Sequence, residues 1–257
     1  MVTLTSHAAA AVALAGFTGT ILGSFLSTLA LRTLNGRSEA GGRSRCDRCG
    51  AQLRWFELVP ILSAAIQRGR CRRCAAPIHP AHAATEIAAA LIAGLAAALW
   101  VGDYWSGEAA LAWAGFSLLL IPVAITDLLR FRLPGLLVVP IALAGLVAGS
   151  GMGVPLIDRV AGGVTGWLLL ELVAVGWRAA TGRAGLGGGD ARLFGAIGLW
   201  LGWLALPWLL VGASLAGFAW LAGMRLRRGR MPRRVPLGAM MVPPAIMLGA
   251  LAAAQTG

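Results

Sequence analysis

Polar residues in this chain do not alternate evenly with apolar ones; they collect in gaps between long apolar runs. A helix crossing a bilayer needs about 20 consecutive, mostly apolar residues. By that measure the pattern predicts eight spans, at about 8–31, 83–101, 108–126, 134–150, 156–177, 191–206, 208–224 and 237–254. Only Leu206-Pro207-Trp208 separates the sixth from the seventh. The expected fold class is an all-α polytopic membrane protein of about eight transmembrane helices. One long polar excursion, 32–82, is expected to form a small domain of its own. The first apolar run is longer than the core of about 7–15 residues of a cleavable signal, and Met1 to His7 carries no basic residue, so it reads as a helix that is kept.

Composition agrees with the pattern: 58% of residues are hydrophobic and 12% charged, where soluble domains carry about 25% charged residues. The formal charge of +12 would suggest nucleic acid in a soluble protein. Its distribution says otherwise. All 22 basic residues are Arg, and the odd-numbered loops, counted from the N-terminus, hold 21 of them. Short cytoplasmic loops collect Arg and Lys, so the odd loops are expected in the cytoplasm and both termini outside it. The expected partner is the lipid membrane, with no nucleic acid. Arg159, at the opposite end of the fifth span, is the exception that topology does not explain.

The excursion contains all four cysteines, Cys46, Cys49, Cys71 and Cys74, as two Cys-x-x-Cys pairs. Four thiolates from two such knuckles suit a tetrahedral Zn²⁺, and the expected cytoplasmic side disfavours disulfides. The expectation is a zinc-ribbon-like loop domain with a structural metal; two reduced or redox-active thiol pairs are the alternative. His79 and His82 are surplus to a four-cysteine site and read as interfacial or polar-loop residues. Trp55-Phe56 reads as a small domain core or as a membrane-surface anchor.

Two aspartates lie where apolar spans meet odd loops: Asp127 in AITDLLRFRLPG and Asp190 in GLGGGDARLFGAIGLW. An ionisable group at the edge of the membrane marks a functional site by default, and each is the other's natural partner. Two adjacent carboxylates do not both ionise easily, and a pair sharing one proton is what an aspartic protease uses. Gly187, Gly188 and Gly189 would let a peptide backbone approach closely, making them candidate substrate-binding positions. The plainer possibility is that each Asp caps a helix or pairs with a nearby Arg. Glu86 and Glu171 are rival carboxylates. Asp127, Glu171 and Asp190 could also serve a proton- or cation-coupled transporter, but no inverted repeat accompanies them. A zinc-bearing scaffold without chemistry is a further alternative. The spacings Gly145/Gly149 and Gly198/Gly202 allow close helix packing, within one chain or between two.

These segments together resemble the type IV prepilin peptidase family (prepilin leader peptidase/N-methyltransferase). GSFLSTLALR at 23–32 is similar to the family's first-span ending, and the cysteine loop to its cytoplasmic domain. Residues 82–86 are similar to its YPxxE, ITDLLRFRLPGLL to its first aspartate segment, GLGGGD to its GxGD segment, and VPLGAMM to its IPFGPFL. The chain departs from these patterns at Ser27 for Asn, His82 for Tyr, Ala83 for Pro and Gly135 for Asp. It also carries Arg192 for Lys, and Leu237-Gly238-Ala239 where the family has Phe-Gly-Pro.

The resemblance implies a bacterial inner-membrane aspartic endopeptidase. It would remove leaders from prepilins or pseudopilins of type IV pili or type II secretion at the cytoplasmic face, with Asp127 and Asp190 catalytic. It also implies N-methylation of the new terminus with S-adenosyl-L-methionine, although Ser27 and the His82-Ala83 site fall in or beside the region linked to that activity; peptidase without methylation is the alternative. The implied organisation is a first helix at 1–31, a methyltransferase-associated cysteine domain at 32–82 and a peptidase core at 83–257.

Overall fold

The computed structural model describes residues 6–34, 44–183, 185–229, 232 and 234–256. Glu39 and the arginines at 37, 43, 230 and 233, which entered the charge pattern, lie outside them. The described chain is helical, and its only β pairing is two isolated bridges. It divides into two compact units, 1–102 and 103–257. Seven helical stretches are long and apolar enough to cross a membrane.

The first unit holds α1 (Ser6–Leu34), the five-residue α2 (Leu62–Ile66) and α3 (Ala81–Val101). With lipid as apolar as Leu, such helices associate through close van der Waals packing of small residues. The seam shows this. Gly19, Gly23, Ser27 and Ala30 of α1 are buried, and a Cβ placed on Gly23 would stand 2.9 Å from the Ala89 Cβ of α3. The leucine and phenylalanine side chains at 14, 17 and 25 point outward, as lipid-facing residues should.

The second unit contains α4 (Gly107–Arg130), α5 (Gly135–Ala148), α6 (Leu156–Thr181), α7 (Gly188–Leu201), α8 (Leu206–Arg228) and α9 (Leu237–Ala253). Ser106 starts α4 by accepting the Ala109 amide, the usual N-cap contact. Its core is built on α4 and α7. Phe116 of α4 meets Trp200 of α7 with ring centroids 5.1 Å apart, and Leu120 of α4 and Phe194 and Ile197 of α7 are fully buried. The Trp200 indole donates to the Ile141 carbonyl at 2.8 Å, so the buried ring keeps its hydrogen bond.

At 14 residues α7 is about 21 Å long, shorter than the usual span. It lies among α5, α6 and α9, and its neighbours, rather than its own length, cover its backbone. The boundary after it differs from expectation. The chain turns at Gly202 (φ 77°), and Pro207 lies in the first turn of α8. Proline is welcome there because a first-turn N–H has no helical acceptor. Gly198 packs against α6: a Cβ on Gly162 would fall 2.6 Å from the Gly198 carbonyl. Gly145 faces Trp200, so both glycine spacings have partners within the chain.

Arg159 also finds its reason. It is 4% exposed, and its Nη1 donates to the Gly145 and Leu146 carbonyls at 2.7 and 3.3 Å. It caps the carbonyl end of α5, where a cation also suits the helix dipole. Its role is packing, so its side of the membrane carries no topological message. Asp158 next to it accepts from the Trp203 indole at 3.2 Å.

Candidate active site and metal centre

Asp127 sits in the last turn of α4, where its carbonyl accepts the amide of Phe131, a residue in the left-handed region at φ 53°. The turn ends α4, and Leu133-Pro134 leads into α5. Asp190 lies in the first turn of α7, its amide donating to the Gly187 carbonyl at 3.0 Å. The two acids therefore belong to helices, rather than opening or closing loops as the apolar pattern suggested. A carboxylate at a helix C-terminus is on the unfavourable end of the dipole. The first turn of α9 offsets this: the Ala239 amide donates to Asp127 Oδ2 at 2.8 Å. The Gly238 amide faces both carboxylates, and the charge of Asp127 acts on Asp190. Asp127 is 4% exposed and Asp190 is half-buried. Glu171 is half-buried on α6 and joins no such pair among the described residues.

The glycines divide. A Cβ on Gly187 would stand 3.0 Å from Asp190 Oδ2, and one on Gly188 would meet nothing within 4 Å. One on Gly189 would come 2.7 Å from the Leu133 Cβ. The same Leu133 reaches Gly238, where an added Cβ would lie 2.8 Å from its Cδ1. Leu133 thus wedges between the starts of α7 and α9. The sequence marked this stretch only by its resemblance to IPFGPFL; that the amides of Gly238 and Ala239 serve the aspartates was hidden, because backbone groups leave no residue signature.

In the first unit the two cysteine knuckles have the same backbone. Cys46 and Cys71 amides donate to Ala51 and Ala76, while Gly50 and Ala75 donate back to Cys46 and Cys71. The four Sγ atoms lie within 4.8 Å of one another, Cys46 and Cys74 at 3.8 Å, and all four are free thiols. Zn–S bonds of about 2.3 Å set tetrahedral edges of about 3.8 Å, so the donor set fits that ion. Amides of Cys74 and Arg73 lower Cys71 to about 7. Cys74 receives the Ala76 amide, yet desolvation and the neighbouring thiols push it up to about 11. The group cannot shed all its protons without a cation among the sulfurs.

The comparisons with known proteins fit this layout. Residues 17–100 match the model of the Bacterial Peptidase A24 N-terminal domain, and residues 113–222 that of the Type IV leader peptidase family. A prepilin leader peptidase/N-methyltransferase of Aeromonas hydrophila is 35% identical, over 76% of this chain and 67% of the relative. Proteins with the same name from Burkholderia pseudomallei and Pseudomonas aeruginosa are 37% and 33% identical, over 76% of this chain and 62% and 67% of their own lengths. The chain belongs to the type IV leader peptidase family. It spans about two thirds of the length of these relatives. No solved structure matches it. Asp127 and Asp190 both lie inside the stretch matched by the leader peptidase model, whereas the Gly238 and Ala239 amides that serve them lie beyond it.

This leader peptidase carries a large cavity in its first unit, about 1130 Å³. Glu57, Glu86, Asp47, Arg32, His82 and Thr28 are among the residues lining it. Glu86, 6% exposed, accepts the Ile61 amide at 2.7 Å. Ile61 is held at φ 61°, an uncommon state for a β-branched residue, so Glu86 pins the cysteine loop to the start of α3. His82 Nδ1 lies 2.8 Å from Ser27 Oγ; the two departures at these positions therefore meet. His79 instead accepts the Ala81 amide through Nδ1, and neither histidine belongs to the metal cluster. Trp55 is 78% exposed and is no core residue. Arg54 and Arg72 stack on the Phe56 ring, at 5.9 and 5.5 Å.

Proposed function

We propose that this protein cleaves the leader peptides of type IV prepilins or pseudopilins at the cytoplasmic face of a bacterial inner membrane, with Asp127 and Asp190 as the catalytic pair. The observation that carries the reading is the meeting of the two carboxylates under one amide, Gly238. The pair holds one proton between its members. The ionised carboxylate takes a proton from water, and the oxygen of that water attacks the scissile carbonyl. The protonated carboxylate donates to the carbonyl oxygen, and collapse of the tetrahedral intermediate sends a proton to the leaving amine. The open side of Gly188 leaves room near Asp190 for an extended substrate backbone, and the bare Cα of Gly187 lets the chain pass close to the carboxylate.

The new N-terminal amine is then methylated. S-adenosyl-L-methionine supplies the methyl group, and the first unit's cavity suits it in size and in its mixture of acidic and basic groups. Glu57 and Glu86 would face a cationic donor, and Arg32 its carboxylate. A Zn²⁺ on Cys46, Cys49, Cys71 and Cys74 holds the two knuckles that wall this cavity. The Arg distribution supports the cytoplasmic placement of these groups.

The test is mass spectrometry of a co-expressed prepilin with the wild type and with Asp190→Asn. A shortened, N-methylated product with wild type and intact precursor with the variant supports both activities. A shortened product lacking the methyl leaves peptidase alone. Cleavage by both proteins overturns the assignment of Asp190.

A further inference from the structure

The first unit places a buried serine behind a histidine at the wall of the large cavity, and nothing in the peptidase chemistry uses either. Ser27 is fully buried on α1, and His82 opens α3 with part of its ring reaching the cavity. Ser27 Oγ stands 2.9 Å from the Ser24 carbonyl and 2.8 Å from His82 Nδ1. A carbonyl only accepts, so the single hydroxyl proton goes to Ser24, and Nδ1–H must donate to Ser27 Oγ. This fixes the neutral imidazole with its lone pair on Nε2. Among the described residues no hydrogen-bond partner takes that nitrogen. The charged groups around the ring are Glu86 on the next turn of α3, His79 before it and Asp47 on the cysteine loop. Arg32 of α1, Arg45, Arg48 and Glu57 line the same cavity. Acids and arginines thus line the cavity in equal number, Asp47, Glu57 and Glu86 against Arg32, Arg45 and Arg48.

We infer that His82, held in one tautomer by Ser27, is the proton acceptor for the amine that is methylated in this cavity. The inference rests on the methyl-transfer reading above. An N-terminal amine is mostly an ammonium at neutral pH, with an ordinary value of about 7.7–8.0, and an ammonium has no lone pair to attack a methyl group. Nε2 takes one proton from the ammonium, leaving a neutral amine and an imidazolium. The amine nitrogen then forms a bond to the methyl carbon while the carbon–sulfur bond breaks. The sulfonium becomes a thioether, and the product is a protonated secondary amine. The imidazolium returns its proton to water. The acceptor is the bare Nε2 lone pair that the Ser27 contact leaves facing the cavity.

The experiment uses the full-length protein in lipid nanodiscs, a leaderless prepilin peptide and S-adenosyl-L-methionine, comparing wild type with His82→Gln between about pH 5.5 and 9. Gln keeps a polar side chain of similar reach and does not titrate. The expected result is about tenfold slower methylation by the variant at pH 7, from the small free-amine fraction at that pH. The lower limb of its pH profile should move up towards the range of the free amine. Methyl-donor affinity by calorimetry should fall much less than the rate, and cleavage of the full prepilin should be unchanged. Selective ¹⁵N labelling of the three histidines should show His82 with a protonated Nδ1 and a bare Nε2. An unshifted pH profile in the variant, a donor affinity that falls in step with rate, or the opposite tautomer would overturn the inference and leave methyl transfer standing. If the wild type transfers no methyl group, the methyl-transfer reading falls and the role of His82 falls with it.

Discussion

Ala239 donates its backbone N–H to Asp127 Oδ2 at 2.8 Å, across 112 residues of chain. This bond joins the end of α4 to the start of α9 and makes the last helix part of the aspartate site. An acid at a helix C-terminus meets the negative end of a dipole, and the positive end of another helix is the direct remedy.

Asp127→Asn and Asp190→Asn should each cut leader cleavage by at least about 10²-fold, the low end of what a positioned acid–base group supplies. Neither should change helical content by circular dichroism or membrane insertion. Quantitative mass spectrometry of precursor and product checks this, and near-wild-type cleavage in either variant would remove that residue from the chemistry.

Gly238→Ala tests the shared amide without replacing either carboxylate. Its Cβ would press on Leu133 at 2.8 Å and on Asp127 Oδ2 at 3.1 Å. Small misplacements at a reacting centre cost up to about 10²-fold, so cleavage should fall by roughly 10–10²-fold with methylation of a pre-cleaved peptide unchanged. Gly223→Ala, where the added carbon meets nothing within 4 Å, is the control and should cleave normally.

Arg159→Leu should destabilise the second unit by about 1–3 kcal/mol, because two α5 carbonyls lose their buried donor. Thermal melting in detergent would show a lower midpoint. An unchanged melt would mean that water reaches those carbonyls.

Zinc should bind at one equivalent per chain and be lost on Cys46→Ser or with a strong chelator. Cys71 lies near 7, lowered from 9.0, so its thiolate is present above that pH and is protonated as pH falls through it. The remaining thiols must release protons to the metal. Binding should therefore strengthen as pH rises from about 6 to 8, with proton release seen by calorimetry. A pH-independent affinity would argue against thiolate ligation.

The order of apolar runs, the paired cysteines and the two aspartates were legible in the sequence because each is a local signal. Hydropathy needs only about 20 residues in a row, and two Cys-x-x-Cys pairs bring their own geometry. The placement of Arg suggested a topology for the same reason, and Arg159 stood out as its exception because a side chain that caps a neighbouring helix looks, in sequence, like one that faces water. The Gly202 break was hidden by apolar residues on both sides. The three glycines before Asp190 looked alike, yet Gly189 meets Leu133 while Gly188 meets open space.

What only tertiary structure decided is which distant groups meet. Backbone amides carry no side-chain code, so Gly238 and Ala239 could be assigned to the aspartates only once α9 was set beside α4. Ser27 and His82 lie 55 residues apart, and each alone reads as an ordinary polar residue. Close packing of α1 on α3, through small side chains and without a hydrophobic driving force between helices, brings the hydroxyl to the ring. The residues specify the chemistry that is possible, and helix packing selects the pairs that can carry it out.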